Sequence, residues 1–474
     1  MKMKLIFTFL IIFNCEYAID NQGLIKEVKK IQSKMKYHQK EMNILQNKID
    51  EISKTLNISN DKEVISIDSF IKIESKNRVN VHDQSRLAKT EWIKTGISTM
   101  LTVGGSNQSD SELKELQRGG HDPNKNGFST RGVELSFSGD VDDVFDAQLN
   151  LNFHSDNDKG SAELELEEVI LHSNSFIKNI DLELGYFKTI FGNKNKKHAH
   201  EWTFIDQNII SNRLFGGDGM AGGGFSLSYQ LKDRNYSQFQ FGVQNASGSN
   251  MNSFQNTGGH NHEEDHEEGH DEHEHGDSFI LSDETKSDYV SRLDDFLYSF
   301  RYEKIVSKNS GQDIKYGFSY LTGPNNHISK KTFIGGFDLA IKKEWLKENG
   351  EFSSYLIESE YMKRNYQAVD EGLHGSLEDI GYFIQGIYHP IKSFGYGLRY
   401  EKSWSGGDFL EAFSLAQHQD RQRMSALFEW KNSEFSKVRL QYNHDQWDHL
   451  SQNKANSIWL AFDVFFGDHP YHKF

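Results

Sequence analysis

Between Gly259 and Asp277 the chain reads GHNHEEDHEEGHDEHEHGD, a run holding six of the protein's 21 histidines, nine carboxylates and no apolar side chain. Neutral imidazole and carboxylate are the ligand types that borderline cations such as Zn²⁺ accept. His260, His262, His266, His270, His273 and His275 are therefore candidate metal ligands. Segments 262–266 and 266–270 also satisfy H-E-x-x-H, the helical zinc-protease motif. That motif needs an apolar helix side to fix both imidazoles, and this run has nothing to pack, so the chain is expected not to be an enzyme. The other alternative is a solvated low-complexity loop that binds cations weakly. Without preorganised geometry such a tract holds metal with modest affinity and fast exchange. No cofactor is required by this reading, although Zn²⁺ or another divalent cation would be accepted.

A second group is more sharply placed. Phe187-Lys188-Thr189-Ile190-Phe191-Gly192 is followed by Lys194, Lys196 and Lys197, then by His198-Ala199-His200-Glu201-Trp202-Thr203-Phe204-Ile205-Asp206, and the stretch ends in Phe215-Gly216-Gly217-Asp218-Gly219. His198 and His200 are candidates for a tighter metal site, and Lys194, Lys196, Lys197, Glu201 and Asp206 for pore-lining contacts. On the alternative reading Trp202, Phe204 and Ile205 pin the segment to a wall and the histidines are passengers.

The elements that position these residues follow from hydrophobic period. From about Trp92 apolar and polar residues alternate: Phe239, Phe241 and Val243 with Gln238, Gln240 and Gln244; Phe296, Tyr298, Phe300 and Tyr302 with Leu297, Ser299, Arg301 and Glu303. About sixteen such segments are present, each near the length that crosses a bilayer as a tilted strand. With 36% apolar residues, 13% aromatics, 39 Gly and only 4 Pro, the chain reads as many short strands and not as a multidomain soluble enzyme. A soluble sandwich or propeller would also alternate, but the connections here alternate long and short, the asymmetry of outer-membrane barrels. The long segments 187–219 and 247–290 fall after the fifth and seventh strands. With both chain ends periplasmic, parity places each on the outer side, and a loop like the first can fold inward to narrow the channel.

Before the strands, Lys2, Lys4 and the apolar run Leu5 to Phe13 lead to Ala18 as a secretory signal does. Leu24, Val28, Ile31, Met35, His38, Met42, Leu45, Ile49, Ile52 and Leu56 then recur at alternating steps of four and three, which predicts a coiled coil, with a trimer the natural assembly. The alternative is a single amphipathic helix. The expected organisation is a signal peptide over 1–18, a periplasmic coiled coil over 19–58, a linker over 59–90, and an all-β transmembrane antiparallel barrel over 91–474 carrying the histidine loop 247–290. The only cysteine, Cys15, lies in the signal, which excludes disulfides and Cys-based metal sites from the mature protein. A net charge of -16 argues against nucleic acid as a partner.

Taking the wet side of each strand as the lumen gives Lys94, Arg301, Lys315, Lys342, Arg399 and Arg439 against Glu134, Glu183, Glu303, Asp338, Glu358, Glu360, Glu401, Glu429 and Asp463. The excess of acid predicts a mildly cation-leaning pore. The last strand, Ile458 to Phe466, and the terminal Phe474 are similar to the signal read by outer-membrane assembly machinery.

Three motifs carry a resemblance: Arg131-Gly132-Val133-Glu134-Leu135-Ser136-Phe137-Ser138-Gly139, Glu163-Leu164-Glu165-Leu166-Glu167-Glu168, and Leu184-Gly185-Tyr186-Phe187-Lys188-Thr189-Ile190-Phe191-Gly192. With the signal and heptads they resemble the phosphate-selective porin O and P superfamily over most of the chain after about residue 90. The resemblance implies a sixteen-stranded, usually trimeric outer-membrane barrel that conducts small solutes. Of the arginine-rich constriction and lysine cluster of phosphate-selecting members, only Lys194, Lys196 and Lys197 have counterparts here. His198-Ala199-His200-Glu201-Trp202, Phe215-Gly216-Gly217-Asp218-Gly219 and Asp468-His469-Pro470-Tyr471-His472 resemble a branch linked with zinc. The expected function is a passive porin for small hydrophilic solutes, surrounded by outer-membrane lipid and lipopolysaccharide, with Zn²⁺ or a similar ion captured by the surface loop. Two alternatives stay open: an anion or phosphate porin whose histidine loop is incidental, and a non-conducting surface metal-binding or adhesion protein.

Overall fold

A computed structural model of the chain describes residues 93–467, apart from 142–143, 157–160, 232–235, 257–289, 291, 309–310, 371–372, 409–419 and 451. The expected signal, heptad helix, linker, histidine tract and terminal tail all lie outside the described residues.

Sixteen strands form one closed antiparallel barrel. They are β1 (Lys94–Ser106), β2 (Gly127–Val141), β3 (Phe145–Asp156), β4 (Ser161–Ile177), β5 (Ile180–Lys188), β6 (Ala221–Gln230), β7 (Tyr236–Asn245) and β8 (Phe296–Lys308). The circuit continues through β9 (Gln312–Pro324), β10 (Lys331–Leu346), β11 (Phe352–Asp370), β12 (Leu373–Ile391), β13 (Phe394–Gly407), β14 (Arg421–Lys431), β15 (Ser436–Trp447) and β16 (Lys454–Gly467). Each strand pairs with its sequence neighbours, and β1 closes the circuit on β16 from Gly96↔Gly467 to Ser106↔Ser457.

The period-2 pattern sets the two faces. Phe239, Phe300, Phe318, Leu398, Leu440 and Leu460 point outward and are exposed, while their neighbours Gln240, Arg301, Ser319, Arg399, Arg439 and Ala461 are buried inside. This polarity is inverted relative to a soluble protein and matches hydrocarbon outside, where every backbone group must be paired within the sheet. Trp345 stacks on Tyr388, with Tyr396 and Trp430 at the same short-turn end, and Tyr382 packs against Tyr400 and Trp404 higher on the wall. Amphipathic rings at two levels are what membrane interfaces select.

Two connections at the long-loop end turn into the lumen. Loop L1 (107–126) carries helix α1 (Asp110–Leu116), started by a capping box between Ser109 and Glu112. Loop L3 (189–220) carries a 3₁₀ turn at Ala199–Glu201 and helix α2 (Ile209–Phe215), whose first turn is capped by Asn208. Leu113, Leu116 and Ile205 pack against Met100, Trp447 and Trp459 of the wall. Ile210, Leu214 and Phe215, with Met251 and Phe254 from the start of the next long loop, pack against Leu297, Leu321, Ile334, Met362 and Phe383. The lumen side is therefore not uniformly polar as the alternation suggests. Inward apolar residues sit where loops cover them.

Candidate functional site

The strand ladder is interrupted twice beside the inward carboxylates. Opposite β3, the pairing of β4 passes from Asn150↔Glu168 to Leu151↔Leu166, leaving Glu167 as an extra residue. Such a bulge breaks the alternation, so the adjacent Glu167 and Glu168 are both buried inside the barrel. In β2 the pairing with β1 slips between Thr99↔Val133 and Leu101↔Thr130. Gly132 takes the positive φ of 90° there, beside Glu134.

L3 is zipped at its base by Asn195, whose side chain donates to the Thr189 and Met220 carbonyls and accepts from the Met220 N–H. Its first part reaches β10 and β11: Asn193 Nδ2 donates to Asp338 at 2.7 Å, the Lys194 N–H donates to Glu360 at 2.9 Å, and Lys194 and Lys197 both pair with Glu358. Burial, the largest influence on both ammonium groups, holds Lys194 below its ordinary pKa; at Lys197 the Glu358 carboxylate outweighs it and the value rises. Further on, Arg439 donates to the Trp202 carbonyl, Gln441 accepts from the Ile205 N–H, and Asp206 receives Arg399, Arg423, Gln117, Gln441 and Asn443. L3 thus crosses the lumen and is latched to the far wall.

Between these anchors the loop presents its histidines to the bulged strands. His198 Nδ1 lies 2.9 Å from Glu167 Oε2 and 3.5 Å from Glu134 Oε1, and its Nε2 lies 2.7 Å from Glu168 Oε2. His200 Nδ1 is 2.7 Å from Glu134 Oε2, and its ring stacks on His198 at 5.8 Å. From L1, His121 Nε2 is 3.2 Å from Glu167 Oε1. Burial alone would lower both imidazole pKa values, but the carboxylates prevail. His121 is pushed up to about 8, chiefly by its hydrogen bond to Glu167, and His198 is raised well above the ordinary value by Glu134 and Glu168. Each ring nitrogen of His198 therefore faces a carboxylate in a buried pocket.

Several sequence expectations need correction. Asp206, Arg301 and Arg399 are buried and committed to ion pairs, so they do not line the channel: Asp206 lies on the wall side of L3, and L3 covers both arginines, with Phe204 4.6 Å from the Arg399 guanidinium. Glu201 accepts from the His198 N–H as part of the 3₁₀ turn, and Lys196 is exposed. Trp202, Phe204 and Ile205 are buried, and His198 and His200 beside them contact carboxylates of β2 and β4. Arg364, Arg421, Arg423, Glu165, Glu167, Glu168, Asp379 and Asp445 also face inward, beyond what alternation indicates, because the strands extend past the clean alternating segments and the β4 phase break hides two acids. Lys94, the first residue of β1, is exposed. Nothing in local sequence singled out His121, whose role comes from the inward fold of L1. His260, His262, His266, His270, His273 and His275 lie outside the described residues.

A closed antiparallel barrel with an apolar outer face, the long loop after its fifth strand folded inside and bonded across the lumen, is the architecture of a porin-type membrane barrel. The chain belongs to the phosphate-selective porin O and P family, whose model matches residues 101–393. It is 28% identical over 177 residues to an uncharacterized protein of Aquifex aeolicus (strain VF5), covering 34% of this chain and 36% of that protein, so only about a third of the relative is spanned. Among solved structures it is similar to an anion-selective porin from Comamonas acidovorans, at 9% identity and a TM-score of 0.48 over 79% of this chain and 99% of the other. It is also similar to the outer membrane channel DcaP of Acinetobacter baumannii, at 12% identity and a TM-score of 0.46 over 79% and 96%.

Proposed function

We propose that this protein is an outer-membrane porin for passive diffusion of small hydrophilic solutes, with cations passing more readily than anions. The supporting observation is the commitment of the inward arginines: Arg301 to Asp338, Arg364 to Asp379, Arg399 to Asp206, Arg423 to Asp206 and Asp445, and Arg439 to Asp463. A pore selects through the field of its uncompensated charge. Guanidinium groups that are buried and neutralised offer an anion no ladder, whereas Glu165 and Glu183 on the opposite wall stay partly exposed. The lysine-rich start of L3 favours the alternative, an anion or phosphate porin, but Lys194 and Lys197 are both held by Glu358 and only Lys196 is exposed.

Reversal potentials of single channels in a KCl gradient test this reading. Cation preference is expected, and clear anion preference would overturn it. Negligible conductance would instead favour a non-conducting surface protein. Association with Zn²⁺ through the surface tract is part of the same proposal. Deleting residues 260–275 is expected to remove a weak, multiple class of Zn²⁺ sites in calorimetric titration; unchanged binding would take the tract out of the mechanism. Self-association as a trimer rests on the heptads of 24–56 and is checked by the mass of the detergent-solubilised particle.

A further inference from the structure

We infer that Glu134, Glu167 and His198 form a built site, inside the barrel, for a first-row divalent cation of the Zn²⁺ type. It stands apart from the pore's ion preference and from the surface histidine tract, and neither is needed for it.

Three elements that are remote in sequence deliver the ligands: β2 gives Glu134, β4 gives Glu167, and L3 gives His198. One ligand atom from each lies within 4.8 Å of the other two. Four-coordinate Zn²⁺ with bonds near 2.0–2.1 Å needs neighbouring ligand atoms roughly 3.3 Å apart. The separations from His198 Nδ1, 2.9 Å to Glu167 Oε2 and 3.5 Å to Glu134 Oε1, flank that value.

The surroundings hold each ligand in place. His198 Nε2 is fixed by Glu168 at 2.7 Å, the carboxylate–histidine support that orients metal-bound imidazole. The second oxygen of Glu134 is held by His200 at 2.7 Å, and the second oxygen of Glu167 by His121 at 3.2 Å. Every oxygen that faces the centre therefore belongs to a carboxylate braced from behind. Asn150 is 1% exposed and donates to Glu168 through Nδ2, while its Oδ1 has no hydrogen-bond partner. A cavity of about 650 Å³ at the short-turn end is lined by Glu134, His121 and His200, so it reaches one of the three ligands and two of the imidazoles that brace them. One imidazole with two carboxylates suits first-row divalent ions over Ca²⁺ or Mg²⁺, which prefer all-oxygen shells.

The experiment uses the full chain folded in detergent, stripped with chelator and titrated with ZnCl₂ or CoCl₂. Wild type is expected to show one tight equivalent, with Co²⁺ giving the intense visible bands of a low-coordinate site, above any weaker surface class. Glu167→Gln and Glu134→Gln, which keep shape, should each lose the tight class and its Co²⁺ bands while the weak class remains. Glu168→Gln, a positioning change, should weaken the tight class by about 10–100-fold. Heat-modifiable gel mobility confirms that each variant is folded. A wild-type protein without a tight equivalent, or a folded Glu134→Gln protein that keeps it, overturns the inference. Deletion of the surface tract leaves the tight class intact if the site is in the lumen; its loss on that deletion also overturns the inference.

Discussion

Asp206 ties the inward fold of L3 to the far wall. Its carboxylate is shared by Arg399 and Arg423 on the wall, Gln117 from L1, and Gln441 and Asn443 of β15. Removing one partner of a buried ion pair leaves the other charge uncompensated, at a cost of about 3–5 kcal/mol. Asp206→Ala is therefore expected to lower the unfolding temperature of the detergent-folded barrel and to make single-channel current noisier; an unchanged trace would show that the latch is redundant. Burial would raise the Asp206 pKa, but Arg399 and Arg423 hold it well below the ordinary carboxylate range. A depressed folded value contributes stability that is complete above the unfolded pKa, near 3.9, and is lost only as pH falls through the lower folded value. The latch should thus persist down to about pH 4 and release only in stronger acid, which conductance measured against pH will follow. Release already near pH 6 would contradict this assignment.

At the scale of elements, the bulges decide what the strands can present. A Cβ on Gly132 would lie 2.6 Å from Asn152 Oδ1 and 2.9 Å from the Phe153 carbonyl, at a φ of 90° that other residues avoid. Gly132→Ala is expected to destabilise the barrel by about 1–3 kcal/mol, seen as a lower urea midpoint, and to displace Glu134. An unshifted midpoint would mean that β2 can relax without its bulge. Most strands were legible in sequence because a membrane barrel writes its two faces in strict period 2, as Phe296 to Glu303 shows. The candidate site was legible only in part. His198 and His200 stood out by type and spacing, whereas Glu167 and Glu168 did not, since two adjacent acids break the alternation by which inward residues are recognised. His121 carried no such mark, since only the packing of Leu113 and Leu116 inside the barrel brings L1 to Glu167. The covering of Arg301 and Arg399 was hidden for the same reason: alternation says which side a residue faces, not what lies over it.

For the molecule as a whole, outward Phe300 separates a membrane barrel from a soluble one. It is 45% exposed on the outer wall. Phe300→Arg would be nearly neutral in water, whereas in a bilayer it is expected to cost up to about 2–4 kcal/mol near the midplane. Reversible folding into lipid vesicles measures the difference, and a neutral result would remove the membrane assignment.

The seam between β1 and β16 has a kinetic consequence. The Ser106 hydroxyl donates to the Asn456 carbonyl across 350 positions of chain, and eleven register partners from Gly96↔Gly467 to Ser106↔Ser457 join the two ends of the sheet. Until the final strand arrives, the nascent sheet keeps two unpaired edges, each able to capture a neighbouring chain. The circle is completed by its most distant contact, whose loop-closure entropy must be met before any reward arrives. A chain shortened before Lys454 would retain most of its local pairings and still be unable to shut, so the last fourteen strand residues govern whether the other strands become a barrel or an aggregate.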